Sequence, residues 1–505
     1  MRELTLMAFC LVQSAMATTY YVSTSGSDSN VGTSAKPFST PAKGIGSAVA
    51  GDSVILLGGT YSVSSRINIS ASGTATKPIH LLSEDPYSKR AILNFATEGV
   101  ADANQGIYLT GNYWHIKGID IENAGDNGML IYGGSYDTIE WCSFHENSDA
   151  GLQIRYGAKY DYILNCDSYW NYDEKTTGGN ADGFSPKLDP GDSITFVGCR
   201  SWGNSDDGWD GYLKTSGTSF SDNMTTILVN CWAFDNGYYH GDPNSSKNNS
   251  SMNGNGFKMG GSPNKDQRHN HVLRRCLSFY NKSKQFDQNN NPGSMAMINC
   301  TAYDSGKNFY VAMALASGST LTVENSISMD GGSVDLLSSA TQATNSWSSG
   351  FSISASDFQS VDTAGVRGVR KSDGSLPDLE FMHLKSTSAL IDKGTAVPGI
   401  SYSGSKPDLG AFEYGATTLL DEGGSLASGS AVWQRGDALR IDGSSASSVR
   451  VVLFGQDGRR IRDLGAASLS PAGSDVALGA LPHGTVFCRL AFSDGTVRDL
   501  SLLRP

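Results

Sequence analysis

The chain has 505 residues, of which 59 are glycine, 39% are hydrophobic and 17% are charged, and its formal net charge is −12. It is too apolar and too lightly charged for a disordered chain, too glycine-rich for a helical bundle, and lacks the Gly-X-Y period of collagen. The acidic balance argues against a nucleic-acid or anionic-membrane partner, and on its face against an acidic substrate too.

Residues 1–17 read as a secretory signal. Arg2 supplies a short charged start, an apolar run covers Leu4 to Val12, and Ala15-Met16-Ala17 is a small-x-small cleavage site before Thr18. No later run is long and apolar enough to span a bilayer. Cleavage removes Cys10 and leaves seven cysteines, an odd number that cannot form a complete disulfide framework.

The segment Tyr20-Tyr21-Val22-Ser23, with Gly51-Asp52-Ser53-Val54 and Gly58-Gly59-Thr60-Tyr61, looks like the opening coil of many β-helix polysaccharide enzymes. A repeat follows. Cys142, Cys166, Cys199, Cys231, Cys276 and Cys300 are spaced by 24, 33, 32, 45 and 24 residues. In most copies a small residue stands two places on, an aromatic three places on and Asn five places on. A second element trails each cysteine: Gly or a substitute, then a bulky apolar residue, as in Gly151-Leu152, Gly183-Phe184, Gly208-Trp209 and Gly256-Phe257. Short β-prone runs, Asn and Gly corners and a minimal period near 24 predict an all-β, right-handed parallel β-helix over residues 18–418. Each repeat is one coil, the cysteines form an internal ladder, the asparagines stack at a corner, and the glycines supply positive φ at the turns. The longer spacings place inserted loops at 172–181, 213–229 and 237–253. Pro407-Asp408-Leu409-Gly410-Ala411-Phe412-Glu413-Tyr414 looks like a closing segment.

From Leu419 onward the composition changes. Every basic residue is Arg, nine in all, against nine acids, so residues 419–505 are neutral and the whole negative charge lies upstream. Short β-prone runs (Ala438–Ile441, Val449–Phe454, Thr485–Phe492), with Asp457-Gly458 and Asp494-Gly495 turns, predict a small β-sandwich-like module. It loosely resembles the sorting or surface-attachment modules of secreted bacterial enzymes.

Aligned on the apolar residue of the second element, the next position reads Gln153, Ser185, Asp210, Lys258, Asp287, Tyr310. Strand alternation turns it outward. Two places before the apolar residue the corner column reads Ala150, Asp182, Asp207, Asn255, Lys284. Adjacent coils lie ~4.8 Å apart, so Asp182, Asp206, Asp207 and Asp210 converge from two coils. One aspartate at such a corner is also ordinary turn chemistry. Four repel unless positive charge lies between them, and clustered hard oxygens suit Ca²⁺. An EF-hand does not fit, because the twelfth position from Asp206 is Gly217. No C-x-x-C or H-E-x-x-H supports zinc. His269 and His271 flank a strand entry and read as surface polarity. Lys187, Lys214, Arg268 and Arg274 are basic residues near these coils that could hold uronates. Trp209 is expected to pack inside, while Trp170, Tyr212, Tyr238 and Tyr239 are candidates for stacking on sugars.

Asn180-Ala181-Asp182-Gly183-Phe184-Ser185-Pro186-Lys187, Ser205-Asp206-Asp207-Gly208-Trp209-Asp210 and Asn253-Gly254-Asn255-Gly256-Phe257-Lys258-Met259-Gly260-Gly261 resemble the pectate lyases of polysaccharide lyase family 9, over roughly residues 20–415. The resemblance implies calcium binding by Asp182, Asp206, Asp207 and Asp210, with Lys258 as the base. It further implies an enzyme acting on polygalacturonate or pectin by β-elimination; with the signal sequence and the C-terminal module, the protein is expected to be secreted, monomeric and held at the cell surface. Two alternatives stay open. One is a glycoside hydrolase on the same fold using paired aspartates. The other is a non-catalytic carbohydrate-binding adhesin.

Overall fold

The computed structural model describes residues 17–397, 400 and 402–415, and beyond them the strand segments of residues 431–504. Residues 1–16 of the expected signal sequence and both C-terminal Asp-Gly turns lie outside the described residues.

Three parallel sheets of twelve, ten and ten strands make up residues 19–343; the first strand pairs with the second, and from there on each strand pairs with the one three strands further along the chain. One coil therefore contributes one strand to each sheet, which is the right-handed β-helix that the repeat predicts. Strands are short, three or four residues in most coils, and the burial pattern alternates along them, as in Ile79–Ser83 and Ile119–Glu122. The short helix Pro41–Ser47 lies against the first coils, with Ile45 buried.

The repeat residues stack as ladders. Cys142, Cys166, Cys199, Cys231, Cys276 and Cys300 are all buried and free. Asn147, Asn171, Asn204, Asn236 and Asn281 form one amide chain. Each side-chain Nδ2 donates to the next Oδ1, at 3.0, 2.8, 3.1 and 2.9 Å, and that Oδ1 also accepts the backbone N–H of the preceding coil's Asn. Inside the solenoid, Phe184, Trp209, Phe257, Phe286 and Phe309 stack with ring centroids 4.8 to 5.2 Å apart. From Cys166 onward, the aromatic three places after each repeat cysteine points outward. Tyr169, Trp202, Phe234 and Phe279 stack on the outer face of the third sheet. Residues 351–412 cover them with Phe358, Leu376, Phe381, Leu384 and Leu409. The closing segment thus packs sideways on the solenoid rather than extending it.

Two expectations change. The corners before the cysteines do sit at positive φ, but Asn165, Asn230, Arg275 and Asn299 occupy them more often than glycine. Glycine does supply positive φ at other turns, such as Gly118, Gly133 and Gly157, and elsewhere it is required by close approach: a Cβ on Gly183 would lie 2.0 Å from Ser201 Oγ, and one on Gly208 would lie 2.5 Å from the Gly256 carbonyl oxygen. The second insertion is also shorter than predicted. Residues 223–229 form a strand that pairs with Ile194–Val197 and Arg268–Arg274, so only 213–222 loops out.

At the C-terminus, antiparallel pairing joins three strands in one sheet and four in another. The strand Ser448–Phe454 sets Val452 against Ile227, Val229 and Val272 on the outer face of the twelve-stranded sheet.

Candidate active site

The ten-stranded sheet that runs from Ile67–Ile69 to Ser333–Leu336 carries the acidic cluster. Its register aligns Phe184 with Trp209, Asp210 with Lys258, and Lys258 with Asp287. The corners align as well: the N–H groups of Gly151, Gly183, Gly208 and Gly256 donate to the carbonyls of Asp182, Asp207, Asn255 and Lys284 on the next coil. Both columns inferred from the repeat are therefore real, and Asp182, Asp207, Asp210 and Lys258 converge where they cross.

The cluster is tightly bonded. Asp182 Oδ2 accepts from Ser185 Oγ at 2.8 Å and from Lys187 Nζ at 2.5 Å, and its Oδ1 accepts the Asp207 N–H at 3.1 Å. Asp207 Oδ1 accepts the Asn255 backbone N–H and side-chain amide at 2.8 and 2.7 Å, while its Oδ2 faces Lys258 Nζ at 2.8 Å. Asp210 Oδ1 lies 3.3 Å from Lys258 Nζ, and its Oδ2 lies 3.7 Å from Lys187 Nζ. One ligand atom from each of Asp182, Asp207 and Asp210 falls within 4.8 Å of the others. Asp206 stands slightly apart. Its two oxygens accept the backbone N–H groups of Asn180 and Asn253, one from each flanking inserted loop.

Charge explains the protonation pattern. Burial pushes up on the Asp210 carboxyl, but the Lys258 and Lys187 ammoniums overcome it and hold it below the ordinary value. Burial works to lower Lys258, but Asp207, Asp210, Asp206 and Asp182 outweigh it and hold the amine well above its ordinary value. Asp206, buried beside Asp207, is pushed up to about 7. Burial also pushes the Asp182 carboxyl well above its ordinary value despite Lys187, so four carboxyl groups face two ammoniums and the protons kept by Asp182 and Asp206 relieve part of the excess. The Asn255 Oδ1, in a residue 5% exposed, has no donor. An excess of hard, buried oxygen donors fits a hard cation such as calcium.

The cluster opens into a cleft of about 850 Å³, lined on this sheet by Gln153, Asp210, Lys258 and Asp287. Tyr212 and Lys214 line it as well, and Lys214 is exposed. Other expected groups lie elsewhere. Lys187 is 6% exposed and bonded to Asp182, which makes it a counter-cation of the cluster rather than a surface hold for sugar. Arg268 and Arg274 stand on a strand of the twelve-stranded sheet, outside the cleft, and Arg274 is buried. Trp209 is in the core, as expected. Trp170 and Tyr239 stack on either side of His240 in a depression apart from the cleft.

His269 and His271 are not surface residues. They are 0% and 4% exposed. His269 Nδ1 meets the Gly211 carbonyl at 2.8 Å, and its Nε2 meets Thr226 Oγ1 at 2.8 Å. The pair underlies the turn that follows Asp210, and burial pushes His269 down to about 4, so it is neutral. The alternation in Arg268–Arg274, with His269 and His271 two places apart, was the signal that both face inward.

The fold and the aspartate–lysine columns together define a β-helix polysaccharide lyase. The family described as Pel9A-like, right-handed β-helix region, matches residues 20–325, and the chain belongs to it. It is 38% identical over 402 residues to pectate lyase L of Dickeya chrysanthemi, covering 78% of this chain and 90% of that one. It is 33% identical over 364 residues to pectate lyase L of Paenibacillus polymyxa, covering 68% of this chain and 77% of that one. The crystal structure of pectate lyase Pel9A superposes with a TM-score of 0.70 at 38% identity, covering 79% of this chain and 97% of that one. A rhamnogalacturonan lyase superposes at 0.63 with 27% identity, covering 73% of this chain and 97% of that one.

Proposed function

We propose that the protein is a secreted pectate lyase that cleaves polygalacturonate by β-elimination. The observation that carries this reading is Lys258, an amine set at the cleft floor between Asp207 and Asp210. Its Nζ would accept the proton on C5, α to the uronate carboxylate, after which O4 leaves and an unsaturated uronide remains. Asp182, Asp207 and Asp210, with Asp206 beside them, would hold calcium. When bound, calcium supplies positive charge that stabilises the charge developing on the sugar carboxylate. Lys187 neutralises part of the cluster from below, Asn255 orients Asp207, and the His269 contact steadies the turn that carries Asp210.

Paired aspartates acting as hydrolytic acid and base are poorly supported. Asp182 and Asp207 are 0% exposed, and their oxygens lie within 4.8 Å of Asp210, closer than the ~6.5–9.5 Å an inverting pair needs for its water. The names of the relatives favour pectate over a rhamnogalacturonan backbone. Incubation with polygalacturonate and calcium should give the ultraviolet absorbance of an unsaturated product. Lys258→Ala should remove it while polymer binding is kept. Depolymerisation without that absorbance would replace this reading with hydrolysis.

A further inference from the structure

The cleft cations differ in what holds them. Lys187 is held by Asp182, Lys258 by Asp207, Arg155 by Asp189 and Lys284 by Asp287, and the side chain of each of these four carboxylates is at most 8% exposed. Lys175 is different. It projects from the inserted loop 172–181 across the cleft and pairs with Asp102, whose side chain is 92% exposed. Its second partner is Asp126, at 3.7 Å. Asp126 is fixed separately by Gln105 Nε2 at 2.7 Å and Asn127 Nδ2 at 3.0 Å.

The base of Lys175 is rigid. Asp173 Oδ1 accepts the Lys175 N–H at 2.8 Å, and Asp173 Oδ2 accepts Thr176 Oγ1 at 2.7 Å. The loop is tied down further on by Ser205 Oγ to the Gly178 carbonyl and by Asn249 Nδ2 to the Thr177 carbonyl, both 2.7 Å. Only the ammonium tip is free to exchange partners. An ion pair to so exposed a carboxylate contributes little to stability, so a carboxylate arriving from solvent competes with it easily.

We infer that Lys175 is a uronate-binding residue of the cleft arm N-terminal to the aspartate cluster, and that Asp102 occupies it in the free protein. This rests on the reading of the cleft as a polyuronate site. The corner residues Asn127, Ala150, Asp182, Asp207 and Asn255 follow one another on successive coils, so the coil of Asp126 lies about 19 Å from that of Lys258 along the solenoid axis. Lys175 therefore reads a sugar distant from the one that reacts. It governs affinity for longer chains, not the chemical step.

The test compares wild type, K175A, K175R and D102N on polygalacturonate and on a trimer too short to reach from Lys258 to Lys175. K175A should raise KM for the polymer about tenfold, the value of one charge-assisted hydrogen bond. It should keep kcat, and leave the trimer unchanged. K175R should restore most of the loss. D102N should lower KM for the polymer, and should not do so in the K175A background. An unchanged KM in K175A would overturn the inference. So would a fall in kcat on both substrates, or a rise in KM in D102N, since each would show that the pair only braces the loop. Calorimetric binding of polygalacturonate to K258A and to K258A/K175A separates the two levels. If wild type yields no unsaturated product, the lyase reading fails, while a weaker affinity in the double variant still supports Lys175.

Discussion

Lys258 shows how a single residue's surroundings set its chemistry. Four carboxylates hold its ammonium, so proton acceptance requires both a partner for those carboxylates and a high pH. A group raised in this way is neutral only above its shifted value, so the rate should climb with pH into the alkaline range. A rate profile that peaks in acid would exclude Lys258 as the base. Asp207 has both oxygens engaged inside the cluster and 0% exposure, so its role is to hold charge rather than to touch sugar. Asp207→Asn should weaken calcium binding in a luminescence titration with terbium as the probe, and EGTA should abolish product formation by the wild type. Full activity after exhaustive chelation would remove calcium from the proposal.

At the scale of elements, ladders carry the stability. Asn204 sits mid-chain among five buried amides and bonds to both neighbours, so Asn204→Ala strands a donor on Asn171 and acceptors around it. A loss of about 1–3 kcal/mol is expected in denaturant unfolding. The covering segment is held by charge as well as by apolar contact. Asp167, on the third sheet, is bracketed by Arg200 at 2.8 Å and by Arg370 of the covering segment at 2.7 Å. Burial pushes its carboxyl up, but the two guanidiniums pull harder and hold it far below the usual range. With a depressed folded pKa, this contribution is complete above the unfolded value near ~3.9 and fades only as pH falls below it. Asp167→Asn leaves two buried guanidiniums without their charge partner and should cost roughly 3–5 kcal/mol at neutral pH, visible as a lowered melting temperature. The ladders were legible because a repeat aligns equivalent residues without reference to any structure. The Asp167 bracket was not, because Arg370 lies 203 residues away and outside the repeat.

At the scale of the molecule, the catalytic cleft and the neutral C-terminal segment use different sheets. The cleft lies on one ten-stranded sheet, whereas Val452 meets the outer face of the twelve-stranded one. A chain ending at residue 418 should therefore keep wild-type kcat/KM on soluble polygalacturonate, and may be compared with the full chain for attachment to cells. A large loss of activity on soluble substrate would place the module in catalysis instead. Among the described residues no helix is long and apolar enough to cross a membrane. The sequence by itself determined the solenoid, the two columns and the meeting of Asp182, Asp207, Asp210 and Lys258, because a coil repeat converts spacing along the chain directly into neighbours in space. The tertiary structure alone decided that Lys187 lies inside the cluster, that Arg268 and Arg274 lie off the cleft, that the two histidines are buried, and that Lys175 reaches Asp102. Those contacts depend on which face a side chain takes and on how far an inserted loop folds back, and neither follows from the period.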